Sequence, residues 1–272
     1  MLNNGVFLEV PISPQTASSP PTLHIAQGVA TLTLNRPQHR NRLEDGDLLL
    51  LLEHIAAVNA DVSVRALVLT AQPNQPRPVF SAGYHLGAFR DDGETGPMPF
   101  ETVPDALATA RPLTLCALPG SVYGGATDLA LACDFRFGVE GMELRMPAGA
   151  LGLHYYPSGM QRYVARLGLG VARKLFLLAE TVPDRDLLQL GFLDKLLPAS
   201  ELPGAVQAWC AQVLAMGPLA VQGMKQTLNE IALGWDQPSL WREREAATKA
   251  SADFAEGRQA FAERRTPQFV GR

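Results

Sequence analysis

The sequence predicts an α/β protein with parallel strand pairing, followed by a helical C-terminal part. Three observations predict it. Short continuous apolar runs, VRALVLTA (64–71) and PLTLCAL (112–118), have the length and composition of buried parallel strands. These runs alternate with helix-like segments, the pattern of parallel β-α units. From about residue 160 onward the pattern is mostly helical.

Taken in order, residues 1–22 are rich in Pro, Ser and Asn (PISPQTASSPP) and predict a flexible arm. VATLTLN (29–35) reads as a strand ended by Arg36-Pro37. LEDGDLLLLLEHIAAVNAD (43–61) reads as a helix, with early acids that suit the positive end of its dipole. VRALVLTA follows as a strand, then QPNQPRP as a loop and VFSAG (79–83) as a short strand running into a turn. DDGETGPMP (91–99) predicts a mobile loop. PLTLCAL is the next buried strand. GVARKLFLLAE, AVQAWCAQVLAM, AVQGMKQTLNEIA and WREREAATKASADFAEGRQAFAERR read as helices. The expected division is a core at 23–200 and a helical region at 201–272, with no repeat of fixed period.

Composition narrows the function classes. The chain has 272 residues, 47% of them hydrophobic, enough for one large buried core. A formal charge of -4 without a polybasic block argues against nucleic acid or an anionic membrane as partner. No apolar run approaches the ~20 residues of a membrane span. The N-terminus lacks the basic and apolar regions of a signal peptide. Cys116, Cys133 and Cys210 form no CxxC, and are expected as reduced core residues of a cytoplasmic protein. Five histidines without i, i+4 pairing argue against a metal site.

Two glycine-bearing turns carry the chemistry. In GSVYGGATDLALACD (120–134), Gly124 and Gly125 open into an apolar helix, with Asp128 three residues on. Glycines let backbone approach a ligand closely, and the first N–H groups of a helix have no internal partner. Such a turn holds an anion, or an oxyanion formed during reaction; it also serves simply as a tight strand-to-helix connection. It is neither a GxGxxG dinucleotide fingerprint nor a P-loop. FSAGYHLGAF (80–89) makes a second strand-to-glycine turn. Two such turns on neighbouring strands could aim two N–H groups at one point, the geometry of an oxyanion hole.

FSAGYHL and GSVYGGATDLALACD, in this order, resemble the two signature segments of the crotonase (enoyl-CoA hydratase/isomerase) superfamily. LTLNRPQHRNRL, DVSVRALVLTA, LGLHYYPSGMQRYVARLGLGVARKLFLLAETV and DFAEGRQAFAERRTPQF resemble further family segments, together covering nearly all of residues 29–269. The resemblance implies a spiral of ββα units with a helical C-terminal trimerisation region, as a trimer or a dimer of trimers. It implies an acyl-CoA substrate, as in fatty acid metabolism, with coenzyme A part of the substrate and no separate cofactor.

Residue by residue, the backbone N–H groups of Tyr84 and Gly125 match the family's thioester oxyanion hole. Asp128 matches the first hydratase glutamate and is the expected acid/base residue, with His154, Tyr155 or Tyr156 assisting. Ala148 falls where the second glutamate is expected, a departure that puts two-carboxylate hydration in question. In GLHYYPSG (152–159), His154 offers a base suited to neutral pH. Tyr156 falls where dehalogenases and dienoyl isomerases carry an aspartate. Tyr155 falls where methylmalonyl-CoA decarboxylase carries a tyrosine. All three could instead only shape an acyl pocket. Ala82 and Arg40-Asn41-Arg42 match coenzyme A contacts. Phe261 and Arg264, expected on one helix face, match residues that reach a neighbouring subunit's coenzyme A. His85 reads as a helix-start or packing residue. The implied activity is of enoyl-CoA hydratase/isomerase type; the alternatives are an acyl-CoA decarboxylase or a non-catalytic acyl-CoA-binding homologue.

Overall fold

A computed structural model describes residues 19–74, 76–85, 87 and 98–272. Residues 1–18 of the expected arm and 91–97 of the expected loop lie outside the described residues. The first strand, β1 (Thr22–Ala26), pairs antiparallel with β2 (Val29–Leu34) through Gln27-Gly28, both with positive φ (50° and 78°). Such a two-residue turn matches the twist of a hairpin. The sequence reading had taken no strand before residue 29. An edge strand with mostly exposed side chains shows no hydrophobic alternation to reveal it.

In β2, Ala30, Leu32 and Leu34 are buried and the threonines between them half-exposed, as period-two alternation dictates. Helix α1 (Asp45–Ala60) starts at a capping box in which the Glu44 N–H donates to Asp47 at 3.0 Å. Asp47 also accepts from Arg36 at 2.8 and 3.0 Å, which ties the LNRP segment to the helix.

The next three rounds of chain share one pattern. β3 (Ala66–Ala71) is followed by β4 (Val79–Ser81) and α2 (Thr102–Ala108). β5 (Leu113–Leu118) is followed by β6 (Ser121–Tyr123) and α3 (Gly125–Ala132). β7 (Phe135–Val139) is followed by β8 (Glu143–Arg145) and, after a short 3-10 turn, α4 (Pro157–Leu178). The first strand of each round joins one sheet and the second joins another. β9 (Thr181–Pro183), α5 (Asp184–Gln189) and β10 (Lys195–Leu197) complete the layers. One sheet runs β1-β2-β3-β5-β7-β10 and the other β4-β6-β8-β9. The β2-β3, β3-β5, β5-β7 and β7-β10 pairs are parallel, as the apolar runs predicted. This alternation is a spiral of ββα units.

The core fills the space between the sheets and their helices. Leu115, Cys116 and Leu118 of β5 are fully buried, as are Ala130, Leu131 and Cys133 in and just after α3. All three cysteines are buried and unpaired. The C-terminal part folds as α6 (Leu202–Leu214), α7 (Pro218–Ala232), α8 (Pro238–Lys249) and α9 (Ala252–Glu263). The segment read as one long helix from Trp241 onward breaks at Ser251, whose hydroxyl caps α9 by accepting from the Phe254 N–H at 3.1 Å. Among the described residues, no single helix is long and apolar enough to cross a membrane.

Candidate active site

Parallel pairing of β4 with β6 sets the two glycine turns side by side. Gly83 has φ +88°, and a Cβ there would lie 2.8 Å from the Tyr123 carbonyl oxygen and 3.1 Å from the Gly125 nitrogen. A side chain is therefore excluded where the two backbones touch. Gly124, with φ +54°, caps α3, and Gly125 is its first residue. The Gly125 N–H has no acceptor within its own helix. The Arg40–Arg42 loop packs against the first turn. The Ala82 N–H donates to the Arg40 carbonyl at 2.9 Å, and the Ser81 hydroxyl to the Asn41 carbonyl at 2.7 Å.

The turns form one wall of a cavity of about 350 Å³. Ala82, Tyr84, Gly124 and Gly125 line that wall. Met146, Pro147, Ala148, Leu151 and Leu153 make a largely apolar second wall. Phe100, Glu101, His154, Tyr155 and Tyr156 complete the lining, with the Phe100 and Tyr156 rings 6.2 Å apart.

Asp128 does not line this cavity. Its side chain is fully buried behind Tyr156, whose phenol donates to Asp128 Oδ2 at 2.5 Å. On its other side, Arg162 donates to Asp128 Oδ1 at 2.9 Å and Oδ2 at 3.1 Å. Arg162 also reaches Asp105 of α2 at 2.9 Å. Burial works against the Arg162 charge, but Asp128 and Asp105 outweigh it and raise its pKa. The Tyr155 hydroxyl donates to that of Tyr156 at 2.9 Å, and the two rings stack with centroids 4.1 Å apart. Burial first, then the Asp128 charge, pushes both phenols above the usual tyrosine range. In this arrangement the Tyr155 phenol donates to Tyr156 and the Tyr156 phenol to Asp128. His154 is exposed at the rim, its Nδ1 2.8 Å from the Tyr155 carbonyl oxygen.

The other predicted residues divide. Tyr84 bonds through its hydroxyl to Asp45, and burial followed by that bond raises its pKa. Asn41 is buried, with its amide donating to the Gln72 and Val79 carbonyls at 2.9 and 3.2 Å, so its side chain holds the loop together. Arg40 is exposed beside the turn, while Arg42 pairs with Glu44 at 3.0 Å. His85 continues the turn, its N–H donating to the Leu43 carbonyl at 2.9 Å. Phe261 is 87% exposed and borders a separate cavity among α7, α8 and α9. Arg264 corrects the helix-face expectation: it leaves α9 in a left-handed conformation, φ 54°. The single chain does not bring Phe261 or Arg264 to the first cavity; the part that the resemblance assigns them is on a neighbouring subunit.

Sequence reasoning missed Arg162, Phe100 and Glu101. An arginine on an amphipathic helix carries no local sign that it is buried, and Glu101 reads as an ordinary residue before a short helix. Among the described residues, no group of three histidine, cysteine or acidic side chains is placed to hold a metal ion.

The enoyl-CoA hydratase/isomerase family profile matches residues 24–272. The 2,3-dehydroadipyl-CoA hydratase of Escherichia coli (strain K12) is 31% identical over 256 residues, covering 90% of this chain and 96% of that protein. The crotonyl-CoA hydratase of Syntrophomonas wolfei is 28% identical over 254 residues, covering 90% and 95%. The solved structure of Pseudomonas aeruginosa DspI superposes with a TM-score of 0.82 at 28% identity, covering 95% of this chain and 99% of that one. The ββα spiral is thus shared with solved structures, and the family profile spans almost the whole described chain. The protein belongs to the enoyl-CoA hydratase/isomerase family.

Proposed function

We propose that the chain binds an enoyl-CoA thioester with its carbonyl oxygen between the backbone N–H groups of Tyr84 and Gly125, and carries out hydration or isomerisation through an enolate. The observation that carries this reading is the contact between the two glycine turns at one wall of a mostly apolar cavity. An enolate forms only if its oxygen is stabilised, and fixed amide dipoles do this without reorganising. Arg40, exposed beside the same turn, suits the phosphates of coenzyme A. The acyl group would meet Ala148, where a second hydratase glutamate is expected, and the Tyr156 phenol backed by Asp128.

Decarboxylation is the second reading, favoured by the burial of Asp128 behind Tyr156 and by Ala148 in the cavity wall. A carboxylate lost as carbon dioxide leaves its electron pair on the α-carbon. The same enolate then forms without a base to remove a proton.

Assembly as a trimer or a dimer of trimers accompanies either reading. Exposed Met224, Leu228 and Ile231 of α7 and Phe254 and Phe261 of α9 support it. The three unpaired cysteines fit a reducing cytoplasm.

Crotonyl-CoA and methylmalonyl-CoA supplied together to the purified protein, with products read by mass, separate these readings. A gain of water on crotonyl-CoA supports hydration. Loss of carbon dioxide from methylmalonyl-CoA supports decarboxylation. Binding with both thioesters unchanged, and no double-bond shift in a 3-enoyl-CoA, would support the non-catalytic alternative.

A further inference from the structure

Moving a proton to or from an acyl chain requires a group that takes it and gives it back. The resemblance offered two carboxylates. One is Asp128, fully buried and engaged by both Arg162 and Tyr156. The other position is Ala148. Among the described residues that line the cavity, Glu101 alone carries a carboxylate.

Glu101 is half-buried and stands immediately before α2, with no side-chain capping bond. Its carboxylate makes no hydrogen bond or ion pair among the described residues. Its backbone is nonetheless held in place. The neighbouring Phe100 ring packs on the second glycine turn: a Cβ on Gly125 would lie 2.7 Å from it. That ring also stands 5.6 Å from the Tyr84 ring and 6.2 Å from the Tyr156 ring. One turn along α2, the Asp105 N–H donates to the Glu101 carbonyl at 3.0 Å, and the Asp105 carboxylate accepts from Arg162 at 2.9 Å. A carboxylate without a partner among the described residues, on a fixed backbone in the wall shared with the paired turns, is the arrangement that proton transfer needs. The other ionisable groups of the wall fit less well. The Tyr155 and Tyr156 phenols are engaged in the chain of bonds that ends on Asp128, and His154 sits at the exposed rim.

We propose that Glu101 is the acid/base of this site, an inference that rests on the acyl-CoA reading above. Its carboxylate takes a proton from C2 of the bound acyl group. The C–H pair becomes the enolate π pair, and the negative charge moves to the thioester oxygen. The protonated Glu101 then returns a proton to C2, or to C4 of the conjugated dienolate formed from a 3-enoyl chain. In hydration, the same carboxylate takes a proton from the water whose oxygen joins C3 and hands it to C2. Atoms and charge balance with no other reactant.

The test is exchange of the C2 protons of butyryl-CoA in deuterium oxide, followed by NMR, with butyryl-CoA binding measured by calorimetry. The unmutated protein is expected to exchange, and Glu101→Gln to slow exchange by about 10²–10⁴ with binding retained. Glu101→Gln exchanging at the unmutated rate overturns the proposal and leaves the acyl-CoA reading standing. No exchange by the unmutated protein on bound butyryl-CoA overturns the proposal together with hydration or isomerisation through proton abstraction at C2, and no binding of butyryl-CoA overturns the acyl-CoA reading itself.

Discussion

With its carboxylate fully buried, Asp128 meets Arg162 on one side and the Tyr156 phenol on the other. Removing one partner of a buried ion pair leaves the other charge uncompensated. Asp128→Ala is therefore expected to lower stability by about 3–5 kcal/mol, measured by urea unfolding. Arg162→Leu should do similar damage. The double replacement should cost less than the sum of the two, with a coupling of about 0.5–3 kcal/mol. Strict additivity would mean that the pair does not couple. Tyr156→Phe removes a bond to a charged acceptor while keeping the ring, so a loss of about 1.5–3 kcal/mol is expected.

At the scale of elements, the two glycine turns and the first turn of α4 shape the site. Gly159 lies where a Cβ would come 2.5 Å from the Tyr156 ring, 2.6 Å from the Tyr155 ring and 3.1 Å from Asp128 Oδ2. A glycine there lets the tyrosine pair fold back over Asp128. Gly159→Ala is expected to cost about 1–3 kcal/mol in thermal stability through overpacking, and to alter the near-ultraviolet circular dichroism of the tyrosines. At Gly125 a Cβ would strike the Phe100 ring. Gly125→Ala should displace the amide of the proposed oxyanion hole and reduce kcat by about 10²–10³. An unchanged kcat would remove Gly125 from the proposed oxyanion hole.

The whole molecule places all five tyrosines where their phenols are harder to ionise. Burial is the largest cause in each, and Asp45, Glu143 or Asp128 adds to it. The sign follows directly. Above the ordinary tyrosine pKa of about 10, the unfolded chain loses phenolic protons that the folded chain keeps. This contribution to stability is complete below pH ~10 and is lost as pH rises beyond it. Phenolate absorbance near 295 nm should therefore appear together with loss of helical circular dichroism. A gradual titration centred near pH 10 in a folded protein would contradict this burial. The helical region makes a second prediction. Phe261 is 87% exposed, so if the proposed trimer buries it, Phe261→Asp should shift sedimentation toward the monomer while leaving protomer helicity unchanged.

The strands β2, β3 and β5, the helix α1 and the two glycine turns were legible in the sequence, because each is written locally. Buried strands are unbroken apolar runs, helices carry their acids early, and backbone contact demands glycine. The three-residue strands β6, β8 and β9 are too short to show any period. Other features depend on pairs far apart in the chain. Arg162 meets Asp128 across 34 positions, and Arg162 meets Asp105 across 57. Local pattern sets backbone conformation and the buried face; it does not say which buried face meets which. Sequence alone therefore determined the fold class, the two turns and the family resemblance. Only the tertiary structure decided that Asp128 sits behind Tyr156, that Glu101 faces the cavity, and that Phe261 lies apart from it. Burial and partner choice are set when the two sheets and their helices close around one core.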